Sequence, residues 1–84
     1  MTTRLLEALR DANNVENYKK IVRLFTTVGV YDGIHFILNE VQGTATIYDY
    51  VSVACPELSG AYFEIALSEV KAVNLLDRKP ADPT

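Results

Sequence analysis

Gly43-Thr44-Ala45-Thr46-Ile47-Tyr48-Asp49-Tyr50-Val51-Ser52-Val53-Ala54-Cys55-Pro56 is the stretch on which the fold class turns. Its valines and tyrosines favour a strand, because branched and aromatic side chains fit a pleated surface. Its apolar residues do not alternate cleanly with polar ones, however, and its ends carry helix punctuation. Thr46 stands three residues before Asp49, the spacing of a capping box. Pro56 blocks continuation, since the residue before a proline avoids the helical region. These signals predict a short helix from Ile47 to about Ala54, with a strand over Gly43 to Ala54 as the competing reading.

The flanking segments extend the helical reading. Upstream, Asp32 is a good N-cap for a helix over Gly33 to Gln42, with Ile34, Ile37, Leu38 and Val41 facing inward and Gly43 as its stop. Downstream, Ser59 caps a helix from Gly60 to about Val73. Leu58 and Phe63 are spaced as a hydrophobic staple, and Phe63, Ala66, Leu67, Val70 and Val73 form its inner stripe. Near the N-terminus, Leu5, Leu6 and Leu9 mark a helix over Thr3 to Ala12. Asn13 and Glu16 are spaced as a capping box for a second helix carrying Val15, Tyr18, Ile21, Val22 and Phe25, which Gly29 terminates. The expectation is an all-α fold of about five helices over residues 1–76, followed by a flexible tail at 77–84.

Composition limits the options. Eighty-four residues, 49% apolar and 23% charged, suit one small globular domain. No apolar run is long enough for a transmembrane helix, and the N-terminus has no signal-peptide core, so no membrane partner is expected. One cysteine makes no internal disulfide, which suits a cytoplasmic protein, and one histidine beside one cysteine makes no zinc site. The net charge of −3 leans away from a free-standing nucleic-acid binder.

From Ile34 to Lys79 the chain resembles the helix-turn-helix core of small prokaryotic winged-helix transcription regulators. Ile34-His35-Phe36-Ile37-Leu38 with Gly43 resembles the first core helix. Thr46-Ile47-Tyr48-Asp49-Tyr50-Val51 resembles the positioning helix. Leu58-Ser59, Leu67, Val70 and Asn74-Leu75-Leu76 resemble the recognition helix. The wing is missing, because the eight residues from Asp77 are too few and too proline-rich for a hairpin. The resemblance implies a DNA-associated regulator with a wingless helix-turn-helix-like core over residues 34–76.

Candidate residues follow. Lys19, Lys20, Arg23, Arg78 and Lys79 are candidates for the DNA backbone, with Arg4 and Arg10 nearby in sequence; a solvated helix face is the plainer reading of Lys19, Lys20 and Arg23. Ser59, Gly60, Ala61, Tyr62, Glu64, Ile65, Ser68 and Glu69 are the outward positions of the recognition helix. With two carboxylates among them they suit a protein partner as readily as DNA. Leu5, Leu6 and Leu9 are dimerisation candidates for a homodimer built on the first two helices. Tyr48, Tyr50 and Tyr62 are possible interface anchors. His35 reads as a surface or boundary residue and Cys55 as a small buried hydrophobe. No phosphate loop, nucleophile elbow or metal spacing is present, so neither an enzyme nor a cofactor or metal is expected. Two functions stay open: DNA-associated transcriptional control, and a protein-binding adaptor or inhibitor that does not bind DNA.

Overall fold

The computed structural model describes residues 3–14 and 20–77. Helix α1 (Thr3–Ala12) precedes six strands: β1 (Ile21–Thr26), β2 (Gly29–Gly33), β3 (His35–Asn39), β4 (Thr44–Ser52), β5 (Ser59–Ala66) and β6 (Val70–Leu76). A 3-10 turn, Leu67–Glu69, joins β5 to β6. All strand pairings are antiparallel. Only Ile34 separates β2 from β3, so the two act as one bent strand. Its first part pairs with β1 on one side and with the end of β4 on the other, and its second part pairs with β4. The order across the sheet is β5, β4, β2/β3, β1, β6.

The sheet curls into a half-barrel around one small core. Leu9 and Ala12 of α1 are buried there with Val22, Leu24, Phe36, Ala45, Ile47 and Val70. On β1 the alternation is clean: Val22, Leu24 and Thr26 point in, and the residues between them are half-buried. Burying one face is what an antiparallel sheet with a single covering helix requires. Two backbone hydrogen bonds draw the curl together: Leu67 N–H donates to the Gly43 carbonyl (2.8 Å), and Thr27 N–H to the Glu69 carbonyl (3.0 Å).

The bend decides the local pattern. Along β2/β3, Gly33 and Phe36 point inward while Ile34 and His35 between them are exposed. Along β4, Ile47 and Tyr50 turn inward while Tyr48 and Asp49 are exposed. Along β5 the same holds for Gly60 and Phe63 around Ala61 and Tyr62. Three neighbouring strands therefore break their alternation along one line, as strands do when they turn a sheet corner. Asp49 carries the break in β4 with φ +50°, a left-handed conformation that Asp tolerates better than most residues. Gly33 is needed for close approach, because a Cβ there would stand 2.2 Å from Ile47 Cγ1 and 2.9 Å from the Tyr48 carbonyl oxygen. Tyr50 lies over Gly60, and Tyr31, Tyr50 and Phe63 cluster beneath the bend with ring centroids 4.5–5.7 Å apart.

The all-α expectation and the helix-turn-helix resemblance are thereby corrected. The first helix stands at Thr3–Ala12 as expected. The later part of the second predicted helix falls on β1, its residues Val15 and Tyr18 lying outside the described residues, and the third, fourth and fifth fall on β2/β3, on β4, and on β5 through β6. For the stretch over β4 the physical reason is the bend; β1 alternates cleanly, and there the three-residue spacing of Val22 and Phe25 joins opposite faces of a strand. A helix repeats inward residues at i, i+3 and i+4, and a strand that turns a corner also places them at i and i+3. Gly33–Phe36, Ile47–Tyr50 and Gly60–Phe63 are such steps. The supposed inner stripe of the third helix shows the cost: Ile34 and Ile37 are exposed, and Val41 is 98% exposed at a turn.

The supposed caps do other work. Asn13 Oδ1 accepts the Leu38 N–H at the edge of β3 (3.0 Å). Asp32 holds Arg23 in a two-point ion pair across β1 and β2 (2.8 and 3.0 Å). Thr46 donates its hydroxyl to Glu64 (3.5 Å), and Ser59 stands in β5 opposite Val51. Gly43, with φ +70°, makes the β3–β4 turn instead of ending a helix. Glu16, and the capping-box role given to it, lies outside the described residues.

Candidate functional site

Strand β5 forms one end of the sheet. It pairs with β4 from Ala66 opposite Thr44 to Ser59 opposite Val51 in constant register, with the ladder skipping Asp49 and Ala61 at the bend. Among the described residues no strand lies on its other edge. Edge strands are usually short or blunted by lysine, proline or a bulge. This one is eight residues long, Ser-Gly-Ala-Tyr-Phe-Glu-Ile-Ala, with one charge and neither lysine nor proline. Its outer face carries Tyr62, 63% exposed, and Glu64. At the opposite end of the sheet, β6 has only β1 beside it among the strands, and Lys71 is exposed on it.

The convex side of the bend adjoins this edge. Register places His35, Tyr48 and Tyr62 in one row across β3, β4 and β5, and Ile37, Thr46 and Glu64 in the next. The Tyr48 and Tyr62 rings lie 6.1 Å apart at 38°. Three shallow depressions of about 410, 300 and 200 Å³ meet here, and Asp49 borders all three. Among the described residues the Asp49 carboxylate has neither a hydrogen bond nor an ion pair. No group of three His, Cys, Asp or Glu among the described residues is placed to hold a metal ion.

The recognition-helix candidates thus lie on a strand and the turn after it. Ser59, Gly60, Ala61, Tyr62, Glu64 and Ile65 belong to β5, with Ile65 half-buried toward the core side. Ser68 and Glu69 lie in the 3-10 turn, where Glu69 accepts the Thr27 hydroxyl. Of the basic candidates, Lys20 and Arg23 are among the described residues. Arg23 is spent on Asp32, which with its hydrogen bond raises the guanidinium pKa further. Lys20 is half-buried just before β1, and Lys19, Arg78 and Lys79 lie outside the described residues. Leu9 is buried in the chain's own core, with Leu5 packed beside it and Leu6 half-buried. Arg10 reaches Glu40 (2.6 Å) and ties α1 to the β3–β4 turn. His35 is exposed, and Cys55 is a half-buried free thiol in the β4–β5 connection.

Sequence reasoning passed over Asp49 as a cap and did not see an edge. The second omission has a cause: an edge is a property of which strands pair, and no residue spells it out. Compared with protein-family models, curated proteins and solved structures, the chain matches none of them. No helix among the described residues is long and apolar enough to cross a membrane.

Proposed function

We propose that the protein is a non-enzymatic protein-binding module that takes an extended segment of a partner chain as an added strand on β5. One observation carries this reading: the long outer edge of β5, free of lysine and proline, with its constant register to β4. Such an edge offers a row of backbone donors and acceptors, and strand addition uses them for affinity while side chains supply selectivity. The DNA-associated reading has lost its recognition helix, Arg23 is paired with Asp32, and Lys19, Arg78 and Lys79 lie outside the described residues. A cytoplasmic location stays part of the proposal, on the strength of the single cysteine.

Titration of the labelled protein with a blocked, neutral peptide of alternating threonine and valine tests the edge. The expected result is amide shifts and slowed hydrogen exchange confined to residues 59–66. Peptide at millimolar concentration that leaves those amides unmoved rejects strand addition.

A second reading rests on β6, the other open end of the sheet. If β6 of one copy pairs with β5 of the next, the homodimer or a larger assembly forms through edges, not through Leu5, Leu6 and Leu9. Light scattering after size exclusion reports the mass directly, and a steady 9.4 kDa at tens of micromolar rejects it.

A further inference from the structure

Charge is segregated along this chain. Between Arg23 and Lys71 there is no lysine or arginine, and the same stretch holds Asp32, Glu40, Asp49, Glu57, Glu64 and Glu69. Asp32 and Glu40 have their own cations, Arg23 and Arg10, and Glu69 takes a hydroxyl from Thr27. Asp49, Glu57, Glu64 and Glu69 have no cation among the described residues, and Glu64, like Glu69, accepts a threonine hydroxyl, that of Thr46. Asp49 and Glu64 lie on the face that carries the exposed Tyr48–Tyr62 pair. The convex β3–β4–β5 surface therefore sets two carboxylates beside its tyrosines, with His35 as its one basic side chain.

A strand added to β5 lengthens each cross-strand row by one position. One new position faces Tyr62 and its neighbour two residues on faces Glu64, both on the convex face, at the spacing where directly opposed side chains interact. Resting on the strand-addition reading, we propose that the docking segment belongs to a different protein and presents a lysine or arginine at one of these two positions. The cation lies over the Tyr62 ring, where the quadrupole of an aromatic face attracts it. Its charge is set beside Glu64, and its stem is long enough to lean across Tyr62 toward Tyr48 and Asp49. A carboxylate at that position meets Glu64 with like charge, which disfavours acidic segments. The same rings can stack bases, but a phosphate backbone would meet Glu64 and Asp49 with no lysine or arginine on β3, β4 or β5 to neutralise it.

The test compares four blocked eight-residue threonine–valine peptides that differ in one central residue: Lys, Arg, Gln or Glu. Binding is read from the amide resonances of residues 48, 49 and 59–66. The Lys and Arg peptides are expected to bind about fivefold tighter than the Gln peptide, and the Glu peptide more weakly than all. The variants Glu64→Gln and Tyr62→Ser should each shrink the ratio of Lys-peptide to Gln-peptide affinity measured on the same variant, with amide dispersion confirming the fold. Equal binding of the Lys and Gln peptides overturns the cation site and leaves strand addition standing. No shift in β5 with any peptide overturns both. Tighter binding of an eight-nucleotide oligo-dT to the Tyr48–Tyr62 row overturns the choice of ligand. A mass above 9.4 kDa that Lys71→Gln returns to the monomer value overturns the choice of a different protein, because the occupant is then β6 of a second copy.

Discussion

Gly33 shows how much of this fold rests on one missing side chain. It sits where β2 passes into β3, and the Ile47 side chain occupies the space its Cβ would need. Alanine there forces either Ile47 or the β4 backbone to move. Gly33→Ala is therefore expected to destabilise the protein by about 1–3 kcal/mol, the usual cost of overpacking a tight core. Urea denaturation followed by circular dichroism checks it, and an unchanged midpoint contradicts the account of the bend. Gly60 is less rigidly required: the atoms nearest its absent Cβ belong to the Tyr50 ring, which can swing, whereas the Tyr48 carbonyl above Gly33 cannot.

At the scale of elements, α1 is the piece whose removal uncovers the core. It lies against β6 and β3 and supplies Leu9 and Ala12 to the interior. Leu9→Ala should cost about 2–5 kcal/mol, the range for emptying a fully buried leucine site. The expected signature is a lower urea midpoint with the slope unchanged. The helix is also held at its far end by the Arg10–Glu40 pair. The hydrogen bond from Arg10, and then its charge, draw the Glu40 carboxyl below the ordinary carboxylate value, and the same pairing raises Arg10. A carboxyl with a lowered folded-state pKa stabilises fully above its unfolded value and loses that contribution as pH falls through the folded one. Acidification should therefore loosen α1 through Glu40 in this acid window only. Thermal melts of Glu40→Gln are expected to show a flatter acid limb than the parent, and the gap between the two should narrow in high salt because both groups are exposed.

For the whole molecule the decisive fact is that the sheet is assembled from distant parts. β1 pairs with β6, from Ile21 opposite Leu76 to Thr26 opposite Val70, so more than half of the chain intervenes. Loop closure over such a span must precede any gain from pairing. Refolding is therefore expected on the millisecond-to-second scale of non-local β topologies, well slower than a helical bundle of this length. Stopped-flow fluorescence of the tyrosines measures it, and a microsecond phase accounting for all of the amplitude contradicts the topology. Among the described residues the curl leaves β5 and β6 each with a strand on one side only, and the proposed strand addition uses the first of these edges.

Several features could be read from the residues because they are local. Leu5, Leu6 and Leu9 marked the helix at Thr3–Ala12, since three leucines on one helical face need no distant partner to be recognised. Gly29, Gly43 and Pro56 punctuated the chain at places where elements do change. What only the tertiary structure decided was whether the segments between them are helices or strands. The stretch from Thr44 to Ser52 carries strand-forming side chains, yet the corner at Tyr48-Asp49 breaks its alternation and produces helical spacing. Strand pairing is a bargain between segments far apart, and the bend exists because Gly33, Asp49 and Gly60 meet across three strands. The open edge of β5 follows from the same pairing: it is defined by the neighbour a strand does not have, which local sequence cannot state.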